Sequence, residues 1–530
     1  MSKQFKVIVV LLSLLMVAAM PVAWGKQAPK KTPPITVKIL RARPVDEVPP
    51  HQMDVFKYVE EKMNVHIIWD TPTESNFNER YNLLMASGDI PDIIINQPDG
   101  DLIKYAQIGV IVPLNKYIDK FAPNLKLWLK KRPEIKKAIT SADGNIYYLP
   151  MFDELPTGNY VLAIREDWLK KLNLKKPVTI NDWEMVWKAF KEKDPNGNGK
   201  ADEIPFSGSG DKGGTGIFAV RSLVAAWGFP SCQSPVNIFD DFYSDPKDKG
   251  RVHYGPVEPR YKEALTWIAR MYKSGYIDQE IFTTNSKILA SKMAQNLVGS
   301  TRGFFGSQIS AFNNTIPKQI PGYFLTGCEP LKGPDGTQIH PFLDQSPRKN
   351  IAFVVTKANK FPAESVKLVD YFYGEEGASL INFGIEGKHY TMADGKRIYT
   401  DFILRNPNGL SSKRARGTFS PSGGTWPFIY LKAQSDQVDH PVVTEIRQKY
   451  LGPFISESKK YILPSYQFKT QDDEVRRRIM TDVKIYEDEM IIKFIMGIEP
   501  LDNWDKYVQR IKARGIDQVI AIYEKYRQNY

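Results

Sequence analysis

The sequence predicts an α/β fold made of two lobes, and three observations lead to this class. Apolar strands alternate with amphipathic helices along residues 35–96, which is the pattern of a lobe built around a parallel sheet. A comparable pattern starts again at residue 160. No stretch rich in Pro, Gly and Ser divides the chain. We therefore expect two α/β lobes joined by several crossings of the chain.

The first lobe follows from strands and helices that alternate in order. Residues 35–40 alternate apolar and polar side chains, as a half-buried strand does. Residues 91–96 are almost wholly apolar, which indicates a strand buried on both faces. The predicted elements are a strand at 35–40, a helix at 54–64, a strand at 65–69, a helix at 76–87 that stops at Gly88, and a strand at 91–96.

The second lobe and the C-terminal part are richer in helix. A strand at 160–164 runs directly into a helix at 165–172, and a pair of strands is expected near 302–306 and 350–356. The other predicted elements are helices at 181–193, 258–275 and 285–295 and a helical region at 472–530. These elements divide the chain into a first lobe of residues 26–152 and 306–376 and a second lobe of residues 153–305 and 377–530.

The first 25 residues are predicted to be a leader and not part of the fold. Lys3 and Lys6 precede an apolar run, and the small-residue triplet at 23–25 fits a signal-peptidase site. We interpret residues 1–25 as a cleaved export signal that delivers the protein to the periplasm. The first cysteine is Cys232, so we expect no lipid anchor on a new N-terminal cysteine.

Charge and cysteine content narrow the function classes. The formal net charge is +12, and cleavage of the leader removes two lysines and leaves +10. This balance favours acidic partners, but no dense Lys/Arg stripe is present, so we expect no nucleic-acid binding. Cys232 and Cys328 are too few for a disulfide scaffold or a zinc ribbon, and the sequence leaves open whether they pair. We expect a monomer.

The most informative motif is a loop with the spacing of a calcium site. Oxygen-bearing side chains fall at loop positions 1, 3, 5 and 9, with Gly199 at position 6, where the chain must bend. Position 12 is Pro205, so Glu203 must replace the usual bidentate glutamate. The predicted calcium ligands are Asp194, Asn196, Asn198, Lys200 through its carbonyl, Asp202 and Glu203. The alternative interpretation is a solvated Asx/Gly turn, and in either case the loop performs no catalysis.

Other motifs do not indicate catalysis. Residues 208–213 match a dinucleotide fingerprint by spacing alone, since no buried strand leads directly into them. The six histidines are scattered, and no serine lies in a nucleophile elbow. We therefore predict that the protein is not an enzyme.

These features resemble the periplasmic solute-binding proteins of ABC importers, in the large oligosaccharide-binding branch. Four segments are similar to that family: 82–92 (NLLMASGDIPD), 164–174 (IREDWLKKLNL), 190–203 (FKEKDPNGNGKADE) and 382–387 (NFGIEG). Within the branch, the sequence is similar to alginate-binding proteins and to binders of glycosaminoglycan fragments. The resemblance implies two α/β lobes that close over a sugar, a structural calcium ion in the loop at 194–203, and an ABC permease as partner.

In such a fold, ligand groups lie at the strand ends that face the gap between the lobes. The predicted ligand-binding residues are Arg41, Arg43, Asn96, Gln97, Asp153, Tyr160, Ser307, Gln308, Arg348 and Trp426. The three arginines are predicted to bind uronate carboxylates through paired donors. Tyr160 and Trp426 are predicted to stack on sugar rings, and Arg348 and Trp426 resemble residues with these roles in the family.

The predicted function is therefore the capture of an acidic, uronate-containing oligosaccharide for an ABC importer. Residues 306–308 depart from the aromatic-bearing segment of the alginate binders, which leaves the saccharide open. Two alternatives also remain open. The ligand could be a neutral oligosaccharide or a peptide, or the protein could be an exported polysaccharide-degrading enzyme, which would release new sugar ends from a polymer.

Overall fold

The structure is a computed structural model, and it describes most of the chain. The described residues are 33–45, 47–96, 101–154, 160–210, 215–230, 241–341, 347–408, 410–421, 425–438, 440–464, 466 and 468–528. The predicted leader at 1–25, the candidate Gln97 and Cys232 lie outside them. Among the described helices, none is both long enough and apolar enough to cross a membrane.

The strands form two main sheets and two separate hairpins. The larger sheet has six strands in the order β14-β4-β11-β3-β1-β2, and the smaller has four in the order β10-β5-β9-β6. The strands are β1 (Ile35–Arg41), β2 (Val65–Asp70), β3 (Ile93–Ile95), β4 (Leu149–Asp153), β5 (Tyr160–Arg165), β6 (Ile204–Gly208), β7 (Phe242–Asp245), β8 (Arg251–Tyr254), β9 (Val298–Phe304), β10 (Leu325–Gly327), β11 (Arg348–Val355), β12 (Tyr390–Ala393), β13 (Lys396–Tyr399) and β14 (Ile429–Tyr430).

Helices cover both sheets and form most of the C-terminal part. Those before β4 are Asp54–Met63, Phe77–Ser87, Asp101–Gln107, Asn115–Phe121, Pro123–Lys131 and Pro133–Ile139. Those between β5 and β11 are Glu166–Lys171, Ile180–Glu192, Ile217–Arg221, Pro259–Lys273, Ser286–Ala294 and Ser310–Thr315. Those after β11 are Pro362–Tyr371, Glu375–Phe383, Asp401–Leu404, Ser412–Arg416, Lys432–Val438, Val442–Glu445, Gly452–Lys459, Thr470–Met496, Trp504–Ala513 and Ile516–Gln528.

The apolar core divides in the same way as the sheets. One cluster of buried side chains packs on the larger sheet and includes residues of β1, β3, β4 and β11. The smaller sheet separates two further clusters. Leu162 and Ile164 of β5 point into one of them, and Val161 and Ala163 point into the other, because successive side chains of a strand face opposite sides of its sheet.

The predicted α/β class and the order of the early elements are confirmed. The strands predicted at 35–40, 65–69 and 160–164 and the helices predicted at 54–64 and 181–193 are present with ends that differ by at most one residue. The predicted pairing of the strands near 302–306 and 350–356 is wrong. β9 pairs with β5 and β6, whereas β11 pairs with β3 and β4 in the other sheet.

The predicted lobe ranges differ from the sheets at two places. β10 lies within the range predicted for the first lobe, but it pairs with β5 in the smaller sheet. β14 lies within the range predicted for the second lobe, but it pairs with β4 in the larger sheet. Both strands are very short, so their sequences carry too little periodicity to indicate the sheet to which they belong.

Candidate functional site

The two sheets meet at their strand ends, where the chain passes from one to the other. β1 is parallel to β2 and β3, and β11 is antiparallel to both β3 and β4. β1, β2, β3 and β4 therefore end at the same edge of the larger sheet. From this edge the chain continues to β5, whose first residue, Tyr160, lies opposite Phe304 at the end of β9. The chain passes back to the larger sheet between β10 and β11. After β14 it leaves the larger sheet again. The gap between these edges, the interlobe gap, is the candidate site.

Arg41 ends β1 at this edge and Arg43 follows it, and both arginines form contacts with protein groups. Arg41 is fully buried and forms an ion pair with Glu47. Its Nε donates to the carbonyl oxygen of Thr425 at 2.9 Å. Burial lowers the pKa of Arg41, and Glu47 opposes that shift. The half-buried Arg43 donates from Nη1 to the carbonyl oxygen of Glu47 at 2.8 Å. The ligand-binding role of Arg41 stays a prediction, and its burial and its ion pair with Glu47 count against it.

Trp426 is a core residue and does not line the gap. Its exposed fraction is 0%. Its ring centroid lies 4.9 Å from that of Phe56, 5.8 Å from those of Trp69 and Phe372, and 5.9 Å from that of Phe353. The stacking role of Trp426 stays a prediction, and the aromatic side chains of the larger sheet and its helices that surround the indole count against it.

Tyr160 lies at the edge of the smaller sheet in a stack that the sequence did not predict. The guanidinium carbon of Arg302 is 3.7 Å from the centroid of the Tyr160 ring, and the Phe304 ring centroid is 3.8 Å from it. The carbonyl oxygen of Tyr160 accepts a hydrogen bond from Nε2 of His340 at 2.7 Å. With 4% of its surface exposed, Tyr160 contacts protein where a sugar ring was predicted. Arg302 is a charged residue among the small residues Gly299, Ser300, Thr301 and Gly303 of β9. This contrast was the feature of the sequence that could have identified it.

The remaining candidates lie at or near the same edges. Asn96 follows β3 in a left-handed backbone conformation, with φ of 69°. Asp153 ends β4 and is buried, and its carbonyl oxygen accepts a hydrogen bond from Arg132. The half-buried Gln308 follows β9 in the turn Phe305–Ile309, which also contains Ser307. Arg348 begins β11. The side chains of Ser307 and Arg348 lie outside the described part of the structure.

The loop with calcium spacing connects the helix Ile180–Glu192 to β6. That helix begins with a capping box, in which Thr179 accepts from the backbone N–H of Asp182 and Asp182 accepts from that of Thr179. Trp187 and Phe190 fix it to the core. The loop therefore starts and ends on rigid elements, which hold its oxygen atoms in place.

Within the loop, most side-chain oxygens already accept hydrogen bonds. Oδ1 of Asp194 accepts from the backbone N–H groups of Gly197 at 2.9 Å and Asn198 at 3.1 Å, and Oδ2 accepts from that of Gly199 at 3.0 Å. The side-chain amides of Asn196 and Asn198 donate to the carboxylate of Asp202. The side chain of Lys200, of which the prediction uses only the carbonyl, is exposed.

Glu203 is the exception in this loop. It is 1% exposed, and both of its carboxylate oxygens are buried without a hydrogen-bond partner. Burial raises the pKa of Glu203, and the neighbouring Asp194 and Asp202 raise it further. An unpartnered buried carboxylate is costly, and a bound cation would satisfy it, so the donor set fits a hard metal ion. Within the described residues, no three His, Cys, Asp or Glu side chains are grouped as a metal site.

Two α/β units joined by several crossings, with a gap between their strand ends, define a two-lobed binding protein. Residues 55–379 match the family of bacterial extracellular solute-binding proteins, and the chain belongs to this family.

Named relatives extend the similarity over most of the chain. The fructooligosaccharide ABC transporter substrate-binding protein FusA of Streptococcus pneumoniae is 29% identical over 516 residues, which cover 93% of this chain and 90% of FusA. The lipoprotein LipO of Bacillus subtilis is 26% identical and covers 73% of each chain. The polygalacturonan/rhamnogalacturonan-binding protein YtcQ of the same organism is 25% identical over 84% of this chain and 82% of its own.

Solved structures of two binding proteins share the fold. The alginate-binding protein AlgQ2, solved without calcium ion, is 29% identical over 94% of this chain and 98% of its own, with a TM-score of 0.70. FusA in complex with kestose is 26% identical over 93% of this chain and 99% of its own, with a TM-score of 0.73. An EF-hand mutant of FusA has the same identity and TM-score.

Proposed function

We propose that the protein is the substrate-binding component of an ABC importer and captures a uronate-containing oligosaccharide. The observation that carries the proposal is the likeness, over more than nine-tenths of this chain, to AlgQ2 and FusA. AlgQ2 is named for alginate binding, and YtcQ for polygalacturonan and rhamnogalacturonan binding. The net charge of +10 that the chain has without residues 1–25 also favours an acidic ligand over a neutral one.

The proposed mechanism is capture and release without chemistry. A sugar bound in the interlobe gap would contact strand ends of both sheets, so it would favour a closed arrangement of the lobes. The closed form would then be recognised by the permease. We propose that the lobes follow the two sheets, so that β10 belongs to the second lobe and β14 to the first.

We expect trigalacturonate to stabilise the protein more than kestose does. At about 100 times its dissociation constant, a ligand of the native state adds roughly 2.7 kcal/mol to the free energy of unfolding. Thermal unfolding with each sugar, followed by calorimetric titration, measures the difference. A shift with kestose alone would refute the acidic preference while leaving a neutral oligosaccharide importer, the role that FusA suggests.

Arg43 is the residue with which we test the proposed contact between an arginine and a uronate carboxylate. We expect Arg43→Gln to weaken trigalacturonate binding about tenfold, because a charge-assisted hydrogen bond contributes about 1.5–3 kcal/mol. Lys38→Gln is the control, since Lys38 is an exposed residue of the same strand, away from the strand end. Equal affinities for the two variants would exclude Arg43 from the site.

We propose that the loop at 194–203 holds a structural calcium ion. Asp194, Asn196, Asn198, Asp202 and Glu203, with the carbonyl of Lys200, would supply the oxygens. The ion would neutralise the loop carboxylates and link the helix Ile180–Glu192 to β6. An EF-hand mutant of FusA supports this proposal, because that relative also contains such a loop.

Removal of calcium is expected to destabilise the protein, and Glu203→Ala is expected to abolish this effect. At 100 to 1,000 times its dissociation constant, calcium should add roughly 2.7–4.1 kcal/mol to the free energy of unfolding. Urea unfolding with calcium and with a chelator gives this difference. Glu192→Ala is the control, because Glu192 is exposed and ends the preceding helix. The proposal fails if the calcium response of Glu203→Ala equals that of the wild type.

We also propose that residues 1–25 are removed on export and that the mature protein carries no lipid. LipO is named a lipoprotein, so anchoring is the alternative to test. The expected result is a mature N-terminus at Lys26, with the mass of the unmodified chain, in the periplasmic fraction of an expressing Gram-negative cell. A lipid-sized mass increase or recovery with membranes would refute this proposal.

A further inference from the structure

A cavity lies at one edge of the larger sheet. Its volume is about 900 Å³, which is within the range of small-molecule sites. We call it the edge pocket because it borders β14, the edge strand of that sheet. The helices Pro123–Lys131, Glu375–Phe383 and Lys432–Val438 and the hairpin β12–β13 form its walls. No strand of the smaller sheet lines it.

The cations of the edge pocket lack acidic partners. Lys131, Lys396 and Arg397 line it, and none forms an ion pair with a described carboxylate. Nε of Arg397 is buried and has no hydrogen-bond partner. Lys396 is held in place by a tight hairpin turn, in which Asp394 and Gly395 both have positive φ. Nζ of Lys131 lies 4.9 Å from the Trp128 ring centroid, and the guanidinium carbon of Arg397 lies 6.0 Å from that of Phe383. The side chain of Lys396 is exposed. None of the three charges is neutralised by a described carboxylate, so they are available to a ligand.

One acidic residue of the pocket is already ion-paired, because Asp436 pairs with Lys432 and with Arg447. A carboxylate oxygen of Glu154 accepts a hydrogen bond from the backbone N–H of Lys432 at 3.0 Å, and Glu375 lies in the first turn of its helix, where the helix dipole stabilises a negative charge. Apart from the paired Asp436, the lining carries three cations, Lys131, Lys396 and Arg397, against the two carboxylates Glu154 and Glu375.

The side chains of Trp128, Leu127 and Ile398 form an apolar surface, which we call the apolar shelf, beside these cations. Nε1 of Trp128 donates to the carbonyl oxygen of Tyr373 at 3.0 Å, which fixes the indole ring. Leu127 and Ile398, which are 60% and 38% exposed, extend the shelf. A fixed aromatic surface next to a guanidinium matches a sugar ring that carries a carboxylate, since the ring packs on apolar atoms while the carboxylate takes paired donors.

We propose that the edge pocket is a second binding site, for an acidic sugar residue, with Arg397 and Lys396 contacting the carboxylate and Trp128 contacting the ring. The lining includes Glu154 and Leu431, which follow β4 and β14, but no described residue of the smaller sheet, and the inference does not depend on which sugar binds in the gap.

Hydrogen–deuterium exchange of the full chain with digalacturonate locates both sites in one experiment. We expect slower exchange in peptides that cover 123–131 and 390–399 with digalacturonate, and no change there with neutral galactobiose. Protection of 160–165 and 298–304 alone would overturn the inference and leave the proposed function intact. Protection of the edge pocket alone would support the inference and count against the proposed function. Equal protection by galactobiose would overturn the acidic assignment.

Substitutions then test the contacts. Arg397→Gln and Lys396→Gln are each expected to raise the dissociation constant of the edge pocket for digalacturonate about tenfold. Lys396 is an exposed turn residue, so its variant tests the proposal even if Arg397→Gln disturbs folding. Lys57→Gln is the control, because Lys57 is an exposed residue of the helix Asp54–Met63 and lines no described pocket. Unchanged binding by Lys396→Gln would refute the contact.

Discussion

Replacing Glu487 with alanine is expected to lower the free energy of unfolding by about 3–5 kcal/mol, because it leaves buried cations without their partner. Glu487 is fully buried on the helix Thr470–Met496. Its carboxylate accepts hydrogen bonds from Arg221, from Nζ of Lys484 at 2.7 Å and from the hydroxyl of Tyr254.

Asp241 would remain buried with these cations, since its Oδ2 also accepts from Arg221 at 3.0 Å and from Lys484 at 2.8 Å. The 45% exposed Asp488 would also still pair with Arg221 at 2.5 Å and with Lys484 at 3.4 Å, but the acceptor that Arg221, Lys484 and Tyr254 share in the core would be lost. This network joins the helix Thr470–Met496 to residues near 221 and 241. We therefore expect the loss of stability to appear when the part of the protein built around the smaller sheet unfolds.

Glu489→Ala is the matched control for this substitution. Glu489 lies two residues further along the same helix, is 54% exposed and pairs with Lys493 at 2.6 Å. An exposed pair of this kind contributes about 0.3–0.5 kcal/mol. Urea unfolding of the full chain, followed by circular dichroism, gives both values. Similar losses for the two variants would show that the buried network does not stabilise the fold.

Replacing Trp426 with alanine is expected to cost about 3–5 kcal/mol of stability, the usual range for a large aromatic side chain removed from a core. Phe56, Trp69, Phe353 and Phe372 all lie against its ring, and none can fill the space without leaving its own position. Urea unfolding measures the loss.

Trp426→Phe separates this core role from a ligand role. Phenylalanine keeps an apolar ring in the cluster, so we expect a smaller loss of stability and an unchanged affinity for trigalacturonate. A large loss of affinity in Trp426→Phe with little loss of stability would instead restore the stacking role that the sequence suggests.

Only part of the candidate site could be predicted from the sequence. Strand ends follow from patterns of neighbouring residues, whereas the surroundings of a side chain depend on residues far away in the sequence. Arg41, Asn96, Asp153 and Tyr160 lie at strand ends as the pattern predicts. The burial of Arg41 depends on Thr425, which is 384 residues further along the chain. No local pattern contains such a contact.

Local patterns were sufficient to predict the α/β class, the early strands and helices, the spacing of the loop at 194–203 and the family resemblance, because periodicity and motif spacing involve neighbouring residues. The assignment of β9 and β11 to different sheets, the burial of Trp426 in the core, and the placement of Lys131 and Arg397 around one pocket became visible in the folded protein alone. These outcomes depend on packing between segments distant along the chain, and packing selects partners by shape and charge after the local elements have formed.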